Sequence, residues 1–80
     1  MGKITLPENL SSNEHEFAKK FISITKGHNA YKVALQLNKM TPGINWCGCN
    51  KSDIISILIV DMREGRSIDL DTLNSSLMVL

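Results

Sequence analysis

The residues of this chain that could do chemistry are two cysteines, two histidines and an uneven set of lysines. Cys47 and Cys49 are separated by one residue, whereas thiol redox motifs place two residues between their cysteines. A disulfide between them would be strained and would close almost no loop, so we expect free thiols. With His15 and His28 they make four metal ligands, but the spacing is not typical of a zinc site. We therefore expect no metal and no cofactor, and thiols that pack as small apolar residues beside Trp46.

The hydroxyl and carboxylate groups fall at helix ends rather than in a catalytic pattern. Serines are scattered over predicted caps and surface positions, and neither histidine belongs to a nucleophile motif with serine or cysteine. Asp61, Glu64, Asp69 and Asp71 cluster where helix caps are expected. No glycine-rich run follows a strand, which argues against a phosphate-binding loop. The sequence predicts a protein that is not an enzyme.

Charge is divided along the chain although the net charge is only +1. Residues 17–52 contain six lysines and no acid, a charge of +6, whereas residues 53–80 contain five acids and two arginines, a charge of −3. Such a division can mark a surface for phosphates or for an acidic partner. The alternative is that the lysines keep exposed faces soluble and that the two halves attract each other. The candidate contact residues are Lys19, Lys26, His28, Tyr31, Lys32, Gln36, Lys39 and Trp46.

The elements that must position these side chains are predicted to be four short helices in a compact all-α bundle. With 80 residues, of which 42% are hydrophobic, the chain has room for one core, so we expect a single domain over residues 1–80. This length excludes a two-domain enzyme. Gly27, Pro42-Gly43 and Gly65 divide the chain into its helical segments. Residues 1–10 are expected to form an extended arm over the core.

The first two helices have clear start and stop signals. Ser11 with Glu14 has the spacing of a capping box, and Asn13 with Glu16 is an equally plausible start. Gly27 is placed to end the first helix in a left-handed conformation. The second helix is predicted to begin around Asn29 and to stop at Thr41-Pro42-Gly43.

A long loop, residues 44–51, precedes a third segment whose type is ambiguous. Ser52-Asp53 is predicted to cap a helix that runs to Gly65. The β-branched residues between positions 54 and 60 also suit a buried strand, but a lone strand would have no clear partner. We predict a helix and, because it is so apolar, place it at the centre of the bundle. The fourth helix is predicted to start at Asp69 or Asp71 and to place leucines on one face at three- and four-residue steps.

The absence of a catalytic pattern, combined with an apolar tail, favours an interaction protein. We expect a small regulator or inhibitor that binds a larger protein, a class common among phages and mobile elements, and that also self-associates. The predicted oligomer interface is Leu77, Met78, Val79 and Leu80.

The alternative function is binding of nucleic acid or a nucleotide by the lysine-rich face of the first two helices. A helix-turn-helix pattern around Gly27 fits only in part. No apolar run is long enough to span a membrane and no secretory signal is visible, so the expected location is the cytoplasm.

Overall fold

The computed structural model of this chain is built from four helices joined by loops. They are α1 (Ser12–Thr25), α2 (Ala30–Met40), α3 (Lys51–Arg63) and α4 (Leu70–Met78). The structure describes residue 6, residues 8–46 and residues 48–79. Within these residues every regular element is a helix, so the predicted all-α bundle with a long loop after the second helix is confirmed. Residues 54–60 lie inside α3, which settles the helix-or-strand ambiguity.

One of the two predicted starts of the first helix is correct, and so is the predicted start of the second. The Ser11 hydroxyl accepts from the backbone N–H of Glu14 at 3.2 Å, and Glu14 Oε1 accepts from the backbone N–H of Ser11 at 3.1 Å, which is a complete capping box. Gly27, with φ of +89°, follows the end of α1 in the left-handed region. Asn29 caps α2, because its Oδ1 accepts from the backbone N–H of Lys32 at 2.9 Å.

The start of the third helix differs from the prediction, whereas one of the two predicted starts of the fourth is correct. Asn50, not Ser52, caps α3, and its Oδ1 accepts from the backbone N–H of Asp53 at 2.8 Å. Asp53 therefore lies in the first turn, where a carboxylate complements the helix dipole. Asp69 caps α4 and accepts from the backbone N–H of Asp71 at 2.9 Å.

Packing is organised around α1 and α4. The helix α1 packs against α3 and α4, and α2 packs against α4. The prediction that α3 lies at the centre is wrong, because α1 is its one partner among these main contacts and its outer side exposes Val60 and Ser56. The core contains side chains from all four helices together with the loop residue Trp46: Ala18, Phe21, Val33, Ala34, Leu37, Trp46, Ile54, Ile55, Leu58, Ile59, Leu70, Leu73 and Leu77.

The N-terminal segment contributes apolar contacts to this core. Leu6 and Leu10 are half-buried and pack against it, whereas the remainder of the predicted arm at residues 1–5 and 7 lies outside the described residues. None of the helices in the described ranges is long and apolar enough to cross a bilayer.

Candidate interaction surface

Part of the positive charge is used to hold the fold together. The ion pairs are Lys20 with Asp71, Arg63 with Glu14, and Arg66 with Asp61 and Glu64. Lys51 at the start of α3 donates to the carbonyl oxygen of Thr25 at the end of α1, at 2.8 Å. Burial lowers the pKa of the Lys51 ammonium below its usual 10.5. Arg63, Lys20 and Lys51 therefore join helices to one another, whereas the ion pairs of Arg66 are local to the end of α3.

Four further lysines are exposed and take no part in an ion pair with any described acid: Lys19, Lys26, Lys32 and Lys39. They are the same four lysines that the sequence marked as candidate contact residues. Lys19 lies on the outer face of α1, and Lys26 is the C-cap of that helix. Lys32 and Lys39 both lie on α2. The described lysines outside ion pairs therefore lie on the first two helices or at their ends.

The outward face of α2 combines two of these lysines with two large apolar side chains. Tyr31 is 65% exposed and Leu35 is 38% exposed. Tyr31, Leu35 and Lys39 follow one another at four-residue steps, and Lys32 precedes Leu35 by three residues, so all four side chains share one face. The opposite face carries the buried side chains of the core. We call Tyr31, Lys32, Leu35 and Lys39 the α2 surface.

Sequence reasoning overlooked Leu35, although a signal was present. The apolar stripe of the second helix is formed by residues at steps of three and four, among them Val33 and Leu37. Leu35 lies two residues from each of them, and residues two apart on a helix do not share a face. An apolar side chain placed off the stripe is expected to be exposed.

The first turn of α2 has an unusual charge for this molecule. An acid occupies the first turn of each of the other helices, and Glu14 and Asp53 stand three residues after their N-caps. In α2 the equivalent position is Lys32, and the first turn holds no acid. A cation there adds to the partial positive charge of the helix N-terminus, at a cost of about 0.3 to 1 kcal/mol at an exposed site.

Two of the predicted contact residues on or near α2 are less accessible than expected. Gln36 is only 6% exposed, which corrects its assignment to the contact strip. It lies three residues after Val33 and four before Met40, which pack in the core and against it, so its position borders the core. His28 is half-buried in the turn before α2, where its backbone N–H donates to the carbonyl oxygen of Thr25 at 3.0 Å.

Trp46 is fully buried, so its assignment as an exposed contact residue is wrong. Its indole Nε1–H donates to Thr41 Oγ1 at 2.7 Å, and its backbone N–H donates to Asn38 Oδ1 at 3.3 Å. The indole thus buries a large apolar area while its one polar group keeps a partner. Trp46 therefore anchors the long loop onto the core.

The residues of the predicted oligomer interface differ in their exposure to solvent. Leu77 is buried in the core, so it is not available for a partner and its assignment to the interface is wrong. Met78 and Val79 are 75% and 84% exposed. Leu80 lies outside the described residues. Of the four predicted interface residues, the described part of the chain therefore leaves two adjacent apolar side chains exposed.

The sulfur and histidine residues form no metal site in the described part of the chain. Cys49 is a half-buried free thiol that packs against the core, and Cys47 lies outside the described residues. Over residue 6, residues 8–46 and residues 48–79, no group of three or more His, Cys, Asp or Glu side chains is placed to hold a metal ion.

A cleft of about 690 Å³ lies between the loop after α2 and the loop after α3. Its apolar lining includes Met40, Ile44 and Ile68. The charged groups at its edge are already engaged, because Arg66 pairs with Asp61 and the Asp69 carboxylate caps α4. The cleft therefore places no unpaired charged group opposite a ligand, in contrast to the α2 surface.

Comparison with known proteins adds no relative. No protein-family model, no curated protein and no solved structure matches this chain.

Proposed function

We propose that this chain is a small, non-enzymatic regulatory protein that binds or inhibits a larger protein through the α2 surface. The observation that supports this proposal is the exposure of Tyr31 and Leu35 beside two lysines that no described acid engages. An aromatic and an aliphatic side chain surrounded by charge resemble the centre and rim of a protein interface. A cytoplasmic location fits the free thiol of Cys49, since cytosolic thiols stay reduced.

Site-specific photo-crosslinking tests this proposal. A photoreactive residue replaces Leu35 in one variant and Ser56, an exposed residue of α3, in a matched control. In extracts of the native host, we expect position 35 to give a discrete protein adduct that position 56 does not give. Excess wild-type protein should suppress the adduct, whereas excess Leu35→Asp should not. Equal labelling from both positions would contradict the proposal.

A second candidate function is nucleic-acid binding by the same face. It is favoured by Tyr31, an exposed ring available for base stacking, next to Lys32, which could contact a phosphate. The burial of Trp46 removes the other stacking residue that the sequence suggested. Nuclease treatment separates the two candidates, because an adduct with a protein partner survives it and an adduct that depends on nucleic acid does not.

We also propose that Met78 and Val79 form a contact between copies of this chain. Their exposure at the end of α4 is the supporting observation. This contact lies outside the α2 surface as defined above, so self-association and partner binding can be tested with separate variants.

A further inference from the structure

The geometry points to an acidic amphipathic helix of a protein as the occupant of the α2 surface. Such a helix would place an apolar side chain against Tyr31 and Leu35 and carboxylates against Lys32 and Lys39. This inference rests on the proposed function and adds the chemistry of the partner to it.

The spacing of the α2 surface defines what the partner must present. Lys32 and Lys39 are seven residues apart, which is about 10 Å along the helix axis. Leu35 lies between them, three residues after Lys32 and four before Lys39, and Tyr31 widens the apolar strip. Carboxylates two turns apart on a partner helix match this distance, and an apolar residue between them would meet Leu35.

The charge of α2 favours an acidic partner from outside. Four exposed lysines and four acids of the described chain take no part in its ion pairs, but α2 contains no acid, so Lys32 and Lys39 have no carboxylate on their own helix. Complementary charge of this kind steers association and fixes the register of the partner.

A second copy of the chain offers a weaker match. The outer side of α3 places Val60 between Asp53 and Glu64, but these two acids are 11 residues apart, whereas Lys32 and Lys39 are seven residues apart. Glu64 also pairs with Arg66, so only Asp53 is left without an ion pair there. Two lysines would thus face a single uncompensated carboxylate, and a partner with two such carboxylates fits better.

Lys32 supplies an independent argument. Glutamate is favoured three residues after the N-cap because it complements the helix dipole and can complete a capping box, and this chain places Glu14 there in α1. In α2 the position holds a lysine. An exposed residue that destabilises its own helix is expected at a functional surface.

The test is a two-dimensional NMR titration of the full chain with synthetic helical peptides. The probe carries leucines at four-residue spacing flanked by glutamates. One control peptide replaces every glutamate with glutamine, and another keeps the glutamates but replaces the leucines with alanine. We expect the probe alone to shift the amide signals of residues 31–39, with affinity that falls as salt rises. A single-stranded oligonucleotide serves as the nucleic-acid control.

Matched variants separate the apolar and ionic parts of the contact. The affinity for the probe should fall about 10-fold in Leu35→Ser and in Lys39→Glu. It should stay nearly unchanged in the controls Val60→Ser and Lys19→Glu. The spectra also report whether each variant is folded.

The inference is overturned if either control peptide binds as tightly as the probe, or if the shifts fall outside α2. It is also overturned if the oligonucleotide binds this face more tightly, or if concentrating the protein alone shifts the same signals, which would indicate a second copy. A crosslink from position 35 to a host protein, with no binding of the acidic probe, would retain the proposed function and reject this inference.

Discussion

The guanidinium of Arg63 in α3 holds the carboxylate of Glu14 in α1 through two hydrogen bonds, from Nε to Oε2 at 3.0 Å and from Nη2 to Oε1 at 3.0 Å. The same carboxylate accepts from the backbone N–H of Ser11 in the capping box. Glu14 thus takes part in the N-terminal cap of α1 and also links α1 to α3. The Arg63 hydrogen bonds, followed by the bond from Ser11, hold the pKa of Glu14 below its ordinary 4.5.

The stability of the protein should therefore depend on the ionisation of Glu14. Because its pKa is lower in the folded chain, its contribution is fully present above pH about 4.5 and is lost as the pH falls through the folded value. Glu14→Gln should unfold at lower urea concentration at neutral pH and should lose less stability on acidification. Glu16→Gln, at an exposed position without an ion pair, is the control. Identical pH profiles for Glu14→Gln and the wild type would contradict this assignment.

Charge reversals at the two ends of the α2 surface should affect stability in opposite directions. Lys32→Glu replaces a cation in the first turn with an acid and should stabilise the protein by about 0.5 to 1 kcal/mol. Lys39→Glu places an acid in the last turn and should destabilise it slightly. Both should weaken binding of the acidic probe. Urea unfolding measures the change in stability, and NMR titration measures the change in binding of the acidic probe. If only the destabilised variant lost binding, a contact role for the two lysines would be contradicted.

The hydroxyl of Thr41 should be required for the stability of the long loop. Thr41→Val removes the acceptor of the Trp46 indole N–H and leaves that buried group unpaired, at a cost of about 1 to 3 kcal/mol. In a Trp46→Phe background the same substitution should cost less, since phenylalanine has no N–H to satisfy. Urea unfolding followed by circular dichroism compares the four chains. Equal costs in the two backgrounds would show that the indole bond is not responsible.

The C-terminal residues should separate stability from self-association. Leu77→Ala creates a cavity in the core and should cost about 2 to 5 kcal/mol. Replacing Met78 and Val79 together with serine should change the free energy of unfolding by no more than about 0.5 kcal/mol. If these two side chains join copies of the chain, the double variant should sediment more slowly than the wild type. Matching sedimentation coefficients would reject that interface.

Local signals predicted most of the helix boundaries. The caps at Ser11, Asn29 and Asp69 could be predicted because each side chain bonds a backbone N–H only two or three residues away. The start of α3 was misplaced because Asn50 and Ser52 are both good cap residues and the loop before them has no periodicity. The position of α3 in the bundle could not be predicted, because it depends on which helices α1 packs against.

The candidate surface was only partly predictable, because exposure depends on tertiary contacts. The lack of acids between residues 17 and 52 identified a basic region. It did not show which of these lysines would form ion pairs with acids from other parts of the chain. Lys20 forms an ion pair with Asp71, 51 residues further along the chain, whereas Lys19 forms no ion pair with a described acid. Gln36 was expected at the surface because its side chain is polar, and Trp46 because it lies in a loop. The position of Gln36 beside the apolar stripe and the large apolar area of the Trp46 ring determine their burial instead.

The main helix contacts of this fold join helices that are not neighbours in sequence: α1 with α3, α1 with α4, and α2 with α4. A hairpin of two successive helices therefore contains little of the final core. Because α4 is the last of the four helices to leave the ribosome and both α1 and α2 pack on it, most of the core must form after synthesis of α4. Folding of the four helices should thus be an all-or-none event that waits for the synthesis of α4, and a cut at Pro42-Gly43 would leave two fragments that are structured only when they reassociate.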